Sequence, residues 1–235
     1  MPQQNAFWRQ AKAVLAQFDL LTHPFYRAWT CGELSKDDLR LYAGEYYHQV
    51  ASFPAYLTAM HSRLGDGRLR RQILANAADE ELRGTPHSEL WLQFAEAVGA
   101  DREAVRTSAP SPKMAEIVDC FRRLAEDAAP VKALAAFWAY ESQVPRIAKE
   151  KAAGLRERYG LGDEACAYFD LHTTVDQYHS KVWEDEINAC LANGARADEA
   201  LQGVEIAARA LWKALDHVES ARLTARQYAT QQQLA

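Results

Sequence analysis

The amino-acid sequence predicts an all-α protein built as a single helical bundle. Apolar residues recur at helical spacing over long stretches, and the 8 prolines and 11 glycines fall mostly between those stretches. No segment shows the sustained alternation of apolar and polar residues that marks a β-strand. Hydrophobic residues make up 49% and charged residues 25% of the chain, a globular balance that argues against disorder. Because neither a linker nor a repeat divides the chain, we expect one domain over residues 1–235 with about seven helices.

The first half of the chain is predicted to contain three helical units. They are expected over residues 5–18, 35–64 and 68–98, the last of them interrupted at 84–86. Ser35 followed by Asp38 resembles a capping box at the start of the second unit, and Pro54 is expected to kink that helix. Residues 20–33, between the first two units, are expected to form an aromatic-rich loop.

Four further helices are predicted in the second half of the chain. They span residues 111–127, 131–159, 163–191 and 198–228, and a frayed glutamine-rich tail is expected at 229–235. Ser111 and Pro112 give the first of these helices an N-cap followed by a proline at its first position. Pro145 is expected to kink the second helix, and the third is expected to be continuous.

Charge and hydropathy exclude several classes of protein. The 27 Lys and Arg residues and the 32 Asp and Glu residues give a net charge of −5, so no basic field exists to attract nucleic acid or an anionic membrane. No apolar run reaches the roughly 18 residues that a membrane span requires, and no secretory signal is visible, so we expect a cytoplasmic protein. The 4 cysteines lie far apart without a C-x-x-C pair, which fits free thiols in a reducing compartment.

Residue types that bind metals are concentrated in the predicted helix over 163–191. His172, Asp176 and His179 form the pattern H-x3-D-x2-H. At about 100° per residue, side chains separated by four and by seven positions fall on one face of a helix. The pattern therefore predicts three metal ligands on one helical stripe, and the alternative is a solvated polar face.

Two more segments supply residues of the same types. Glu80 and His87 share one face if their helix continues through Pro86, whose kink is expected to turn His87 inward. Glu141 ends an apolar stretch over residues 134–140, where an unpaired carboxylate would be strongly destabilising. The carboxylate therefore needs a cation, which is either a metal ion or a basic side chain in a salt bridge.

Together these residues offer three carboxylates and three imidazoles. Hard oxygen ligands combined with imidazole nitrogen suit iron or manganese, and two divalent ions against three carboxylates leave a net charge of about +1. The sequence therefore predicts a site for two first-row metal ions. Iron is expected at both positions, with manganese at one of them as the alternative.

These motifs together resemble those of the haem-oxygenase-like di-metal oxidases. The resemblance is greatest to the family named after the Chlamydia protein associating with death domains, whose members are viewed as para-aminobenzoate synthases. It covers about residues 5–220 and rests on E-x6-H at Glu80, on Glu141 before Pro145, and on the pattern that begins at His172. It implies a haem-oxygenase-like bundle, the six ligands named above, and an oxygen-dependent synthesis of para-aminobenzoate for folate that needs an external reductant.

The resemblance also implies roles for three residues outside the metal site. Tyr26 matches the family's self-sacrificed tyrosine, Tyr42 its second functional tyrosine, and Lys151 its lysine. The implied reaction cuts the ring of Tyr26 from the backbone and takes the nitrogen of the product from Lys151, so the protein is substrate as well as catalyst. Tyr42 would either relay an electron or hydrogen-bond to the reacting phenol. Without the resemblance, both tyrosines would be assigned to the edge of the core and Lys151 to a solvated helix face; a homodimer is left open.

Two other functions remain alternatives. A helical module that binds partner helices would need an exposed apolar face rather than inward ionisable residues. A di-metal oxidase of an external fatty or amino acid would keep the six ligands and leave Tyr26 without a chemical role. Thiamin hydrolysis is disfavoured, because Ala136 stands where similar thiaminases carry a nucleophilic cysteine.

Overall fold

The computed structural model describes residues 2–233, and within them the chain is built from helices. That part of the chain contains twelve α-helices, one 3-10 turn at Leu20–Thr22 and no β-strand. The helices are α1 (Pro2–Gln17), α2 (Pro24–Cys31), α3 (Lys36–Arg63), α4 (Arg68–Glu81), α5 (His87–Ala97), α6 (Arg102–Thr107), α7 (Pro112–Asp127), α8 (Pro130–Glu141), α9 (Val144–Glu157), α10 (Asp163–His172), α11 (Val175–Ala192) and α12 (Ala197–Gln233). The all-α prediction is confirmed, and there are more helices than expected because several predicted helices are divided.

Helix α2 lies in the segment that was expected to be a loop. The side chain of His23 caps its start, since Nδ1 accepts a hydrogen bond from the backbone N–H of Phe25 at 3.1 Å. Pro24 occupies the first turn, where a missing N–H costs nothing, and Gly32 ends the helix with a left-handed φ of 71°. The loop prediction is wrong because histidine is not a usual cap, and α2 is the helix that carries Tyr26.

The helices predicted over residues 68–98 and 131–159 are both divided at a proline. Residues 82–86 separate α4 from α5, and Pro86 immediately precedes the first residue of α5. Pro145 has no N–H to offer the carbonyl of Glu141, so α8 ends at that residue. The N–H of Gln143 instead bonds to the Tyr140 carbonyl at 3.3 Å, and α9 begins one residue later.

The prediction of one continuous helix over residues 163–191 is wrong, because the chain is interrupted at Thr173 and Thr174. The Thr173 hydroxyl donates a hydrogen bond to the Phe169 carbonyl at 3.0 Å, and the Thr174 hydroxyl donates to the Leu171 carbonyl at 3.1 Å. Such bonds from threonine back to the preceding turn weaken a helix. The three residues predicted to share one helix are divided between two: His172 ends α10, while Asp176 and His179 lie in α11.

Three smaller differences concern helix boundaries. The short helix α6 was not predicted; it starts where the Asp101 side chain accepts the Ala104 N–H at 2.7 Å. Helix α3 runs through Pro54 without interruption. Helix α12 continues to Gln233, so the described part of the predicted frayed tail is helical, and residues 234–235 lie outside the described residues.

Helix α8 is the central element of the bundle. All of its residues from Ala133 to Glu141 are buried, and it packs against α7, α11 and α12. Gly203 on α12 permits a close approach to α8, because a Cβ atom there would lie 2.1 Å from the Lys132 carbonyl oxygen. The packing of α11 on α8 and of α4 on α11 encloses Glu141 inside the bundle.

None of the helices in residues 2–233 combines the length and the apolar composition needed to cross a membrane. The assignment of residues 1–235 to one domain remains a prediction.

Candidate metal centre

The breaks between helices bring the six candidate ligands to one buried place. All six side chains are buried, with relative exposures of 5% or less. Glu80 lies near the end of α4, His87 begins α5, Glu141 ends α8, His172 ends α10, and Asp176 and His179 lie in the first turns of α11. The helix does not continue through Pro86, so Glu80 and His87 come from two helices instead of one face. Their side chains still meet, with His87 Nδ1 2.8 Å from Glu80 Oε2.

The ligand atoms form two overlapping groups. In one group, atoms of Glu80, His87 and His172 all lie within 4.8 Å of one another. In the other group, atoms of Glu80, Glu141 and His179 do so. Asp176 joins the second group, since its Oδ1 lies 3.5 Å from His179 Nδ1. The arrangement therefore has two adjacent positions with Glu80 common to both.

Unpaired polar atoms show that these residues fit a metal. Within the described residues, Asp176 Oδ1 and His179 Nδ1 are buried without a hydrogen-bond partner. Their separation of 3.5 Å is too long for a good hydrogen bond. Two ligands that each lie about 2.1 Å from one ion are roughly 3.0–3.4 Å apart, so the spacing is close to that of a shared ion.

The protonation of the cluster is consistent with this fit. Burial and the neighbouring carboxylate of Glu141 raise the pKa of Asp176 well above its usual value. Burial alone would lower the pKa of His179, but the nearby carboxylates of Asp176 and Glu141 outweigh it and raise the pKa to about 11. Both shifts favour retention of protons by this buried pair when no metal is bound, and metal binding would displace them.

His172 is arranged as a neutral ligand. Burial, followed by the nearby His87, lowers the pKa of His172 to about 3. Its Nδ1 donates a hydrogen bond to the Tyr168 carbonyl at 2.6 Å, which leaves the lone pair of Nε2 free. The Tyr168 ring stacks on the imidazole with centroids 4.0 Å apart.

Sequence analysis missed two residues whose side chains donate hydrogen bonds to Glu141. Asn76 Nδ2 donates to Glu141 Oε1 at 3.1 Å, and the Trp183 indole N–H donates to Glu141 Oε2. Asn76 lies four residues before Glu80 on α4, which places both side chains on one face of the helix. That spacing could have indicated Asn76 from the sequence. No comparable pattern pointed to Trp183.

Tyr26, Tyr42 and Lys151 form a second buried cluster, which we call the tyrosine–lysine cluster. Their relative exposures are 3%, 0% and 5%. The hydroxyls of Tyr26 and Tyr42 are 3.3 Å apart, and the Lys151 amine donates a hydrogen bond to the Tyr42 hydroxyl. The Lys151 Nζ atom lies 4.8 Å from the centroid of the Tyr26 ring. Lys151 is therefore not on a solvated helix face.

Burial also determines the protonation of this cluster. It lowers the pKa of Lys151 well below the ordinary value of 10.5, which favours the neutral amine. It raises the pKa of Tyr26 and of Tyr42 well above 10.0, so both phenols keep their protons. Burial thus disfavours the charged form of all three side chains.

Tyr140 and Tyr168 separate the two clusters. Both rings line a cavity of about 30 Å³ beside Tyr26 and Lys151, and both line another of about 10 Å³ beside the candidate ligands. A cavity needs a volume of roughly 10–15 Å³ to hold a single water, so neither cavity has room for a benzoate-sized molecule. The clusters are therefore neighbours, and each is tightly packed.

An all-helical bundle that encloses carboxylates and imidazoles at its centre is the arrangement of a helical metalloenzyme. The chain belongs to the family described as iron-containing redox enzymes, whose model matches residues 40–212. It is 37% identical over 196 residues to the 4-aminobenzoate synthase of Chlamydia pneumoniae, which covers 83% of this chain and 87% of that protein. It is 35% identical over 224 residues to the protein of the same name from Nitrosomonas europaea, with 91% of each chain covered.

The solved structures show the same fold. Haem oxygenase-1 from Synechocystis, in complex with haem, superposes with a TM-score of 0.70 at 13% identity, and 100% of each chain is covered. At that identity the similarity concerns the fold alone. The predicted haem-oxygenase-like fold and the resemblance to the para-aminobenzoate synthases are both confirmed.

Proposed function

We propose that this redox enzyme is an oxygen-dependent dinuclear metalloenzyme that forms para-aminobenzoate from the side chain of its own Tyr26. The observation that carries the proposal is the packing of the tyrosine–lysine cluster. Tyr26 lines a cavity of about 30 Å³ beside a buried amine, and the rings of Tyr140 and Tyr168 lie between that cavity and the candidate ligands. The names of the two relatives support the product, since para-aminobenzoate and 4-aminobenzoate are one compound.

The candidate ligands would hold two metal ions. Glu80, His87 and His172 would bind one ion, and Glu80 with Glu141, His179 and Asp176 would bind the other. When bound, a pair of iron ions, or iron with manganese, supplies the redox chemistry with O2 and takes its electrons from an external reductant.

The carbon skeleton of the product is present in the tyrosine side chain. Both contain an aromatic ring with one exocyclic carbon para to the heteroatom. Conversion requires cleavage of the Cα–Cβ bond, oxidation of Cβ to a carboxylate, and replacement of the phenolic oxygen by nitrogen. Lys151 is placed to supply that nitrogen, because burial favours its neutral amine, whose lone pair lies near the ring of Tyr26. With O2 as the oxidant, the phenolic oxygen would leave as water when the C–N bond forms, and hydrolysis of the Cε–Nζ bond would leave an aldehyde on the Lys151 side chain.

Tyr42 would form a hydrogen bond with the reacting phenol. Its hydroxyl lies between the Lys151 amine and the Tyr26 hydroxyl and contacts both. Burial keeps Tyr26 protonated until its ring loses an electron, and the Tyr42 hydroxyl is placed to accept a hydrogen bond from the reacting phenol. This geometry favours the hydrogen-bonding role of Tyr42 over that of an electron relay.

The packing favours Tyr26 over an external substrate. A fatty or amino acid would need far more than the volume beside Lys151. A groove of about 710 Å³ lies between α7 and α12, but its lining includes no residue of either cluster. An interaction module would have no use for six buried ionisable side chains.

A substitution of Glu80 tests the dinuclear arrangement. Because Glu80 is common to both groups, we expect Glu80→Gln to lose metal at both positions, whereas Asp176→Asn should lose metal at one. Elemental analysis after anaerobic reconstitution measures the difference, with Glu81→Gln, the exposed neighbour of Glu80, as the matched control. Full metal content in Glu80→Gln would contradict the shared-ligand arrangement.

The proposed activity is tested by counting product. Protein reconstituted with iron and manganese, reduced, and exposed to O2 should form para-aminobenzoate without any added aromatic precursor. Chelated protein, and reconstituted protein kept anaerobic, should form none. Product that appears only after addition of an external aromatic compound would refute the use of Tyr26.

A further inference from the structure

His179 is held between carboxylates that contact opposite nitrogens of its ring. Nδ1 faces the candidate ligands, 3.5 Å from Glu141 Oε1 and 3.5 Å from Asp176 Oδ1. Nε2 lies 3.1 Å from Oδ2 of Asp79, a residue outside the ligand set. The ring thus connects the buried cluster to a carboxylate behind it.

The contact with Asp79 determines which nitrogen of His179 is free. The carboxylate accepts the hydrogen bond, so Nε2 carries the proton. A neutral imidazole protonated on Nε2 has its lone pair on Nδ1, the atom that faces the cluster. Asp79 therefore selects the tautomer that can bind a metal through Nδ1.

Asp79 also has a partner toward the solvent. Arg83, one turn later on α4, contacts its other oxygen, with Nη1 2.6 Å from Oδ1. The Asp79 side chain is 14% exposed, while that of Arg83 is 67% exposed. Within the described residues, each carboxylate oxygen thus has one polar partner, which is Arg83 for the outer oxygen and the His179 imidazole for the inner one.

The support of His179 differs from that of His172. His172 donates to a backbone carbonyl, which orients the ring without adding a charge. His179 donates to a carboxylate, which orients the ring and also makes its free nitrogen a stronger donor to a metal. Helix α4 thus provides a candidate ligand, Glu80, and in the preceding residue the support for a ligand on α11.

We propose that Asp79 is a positioning residue that orients His179 and strengthens its binding to the ion shared with Glu80 and Glu141. This inference rests on the metal centre of the proposed function. Loss of such a supporting carboxylate typically weakens metal binding by about 10–100-fold.

Manganese binding to full-length variants tests the role of Asp79. Mn²⁺ is titrated into metal-free protein without oxygen, and free Mn²⁺ is counted by electron paramagnetic resonance. We expect Asp79→Ala to raise one of two dissociation constants by about 10–100-fold and to leave the other unchanged. Asp79→Asn should fall between wild type and Asp79→Ala, because an amide oxygen accepts the same bond without the charge. The Asp79→Asn variant also keeps the test decisive if Asp79→Ala folds poorly.

Arg83→Met is the matched control, because it removes the ion pair but leaves the bond between Asp79 and His179. We expect it to bind Mn²⁺ like the wild type. An equal loss in Arg83→Met and Asp79→Ala would overturn the inference, since the ion pair would then be responsible. If the wild type binds two Mn²⁺ ions and Asp79→Ala keeps both dissociation constants, the inference about Asp79 is overturned while the metal centre stands. A wild-type chain that binds no Mn²⁺ would overturn the metal centre as well.

Discussion

Tyr26→Phe is expected to abolish para-aminobenzoate formation and to leave folding and metal content unchanged. The substitution removes one hydroxyl and keeps the ring that packs beside Phe25 and Tyr42. The lost contact is a single hydrogen bond of 3.3 Å to Tyr42, which contributes about 1 kcal/mol. A phenylalanine ring cannot lose an electron and a proton as a phenol does, so the first step of the reaction would fail. Product, metal content and the unfolding temperature are measured on the same preparation.

Tyr56→Phe is the matched control for Tyr26→Phe. Tyr56 is also a buried tyrosine, and its hydroxyl donates one hydrogen bond to Gln49 Oε1 at 3.2 Å. It lies outside both clusters, so the same chemical change should leave product formation as in wild type. Wild-type product from Tyr26→Phe would contradict the role of the phenol.

Lys151→Met is expected to abolish product and to stabilise the protein at neutral pH. Methionine fills a similar volume among the aromatic rings but has no amine to donate. Burial lowers the pKa of Lys151, so between that lowered pKa and the ordinary value of 10.5 the unfolded chain binds a proton that the folded chain does not. The free energy of unfolding of the wild type is therefore lowered at neutral pH. Each kcal/mol that Lys151→Met regains should raise the unfolding temperature by about 2–4 °C.

The pH dependence of stability checks the sign of this effect. The wild-type penalty shrinks as the pH rises from the lowered pKa of Lys151 toward 10.5, so wild type and Lys151→Met should converge in alkaline solution. Lys149→Met, on an exposed position of the same helix, should leave both stability and product unchanged. A variant that is less stable than wild type at neutral pH would contradict the neutral buried amine.

The candidate ligands could be predicted from the sequence, but their helical context could not. Spacing and an apolar surrounding were enough to select Glu141 and His172. The interruption at Thr173 coincides with side-chain hydrogen bonds to the preceding turn, but Thr58 makes the same kind of bond within the continuous helix α3. The breaks matter for the site, because His172, Asp176 and His179 reach it from two helices instead of one stripe.

Residues that support the site were hidden from sequence analysis for a different reason. Asp79 and Trp183 act through contacts between helices that are distant in sequence, which no local pattern encodes. The burial of Lys151 did have a local signal. Ile147, Lys151 and Leu155 recur every four residues on α9, so they share its buried face.

Peptide mass spectrometry of reacted protein, combined with a count of product, tests the central claim most directly. After reconstitution, reduction and exposure to O2, the peptide with Tyr26 should have lost the mass of its ring, and the peptide with Lys151 should be modified. The amount of each change should match the para-aminobenzoate formed, and product should never much exceed one equivalent per chain. An intact Tyr26 peptide beside many equivalents of product would contradict the claim that the enzyme consumes its own tyrosine.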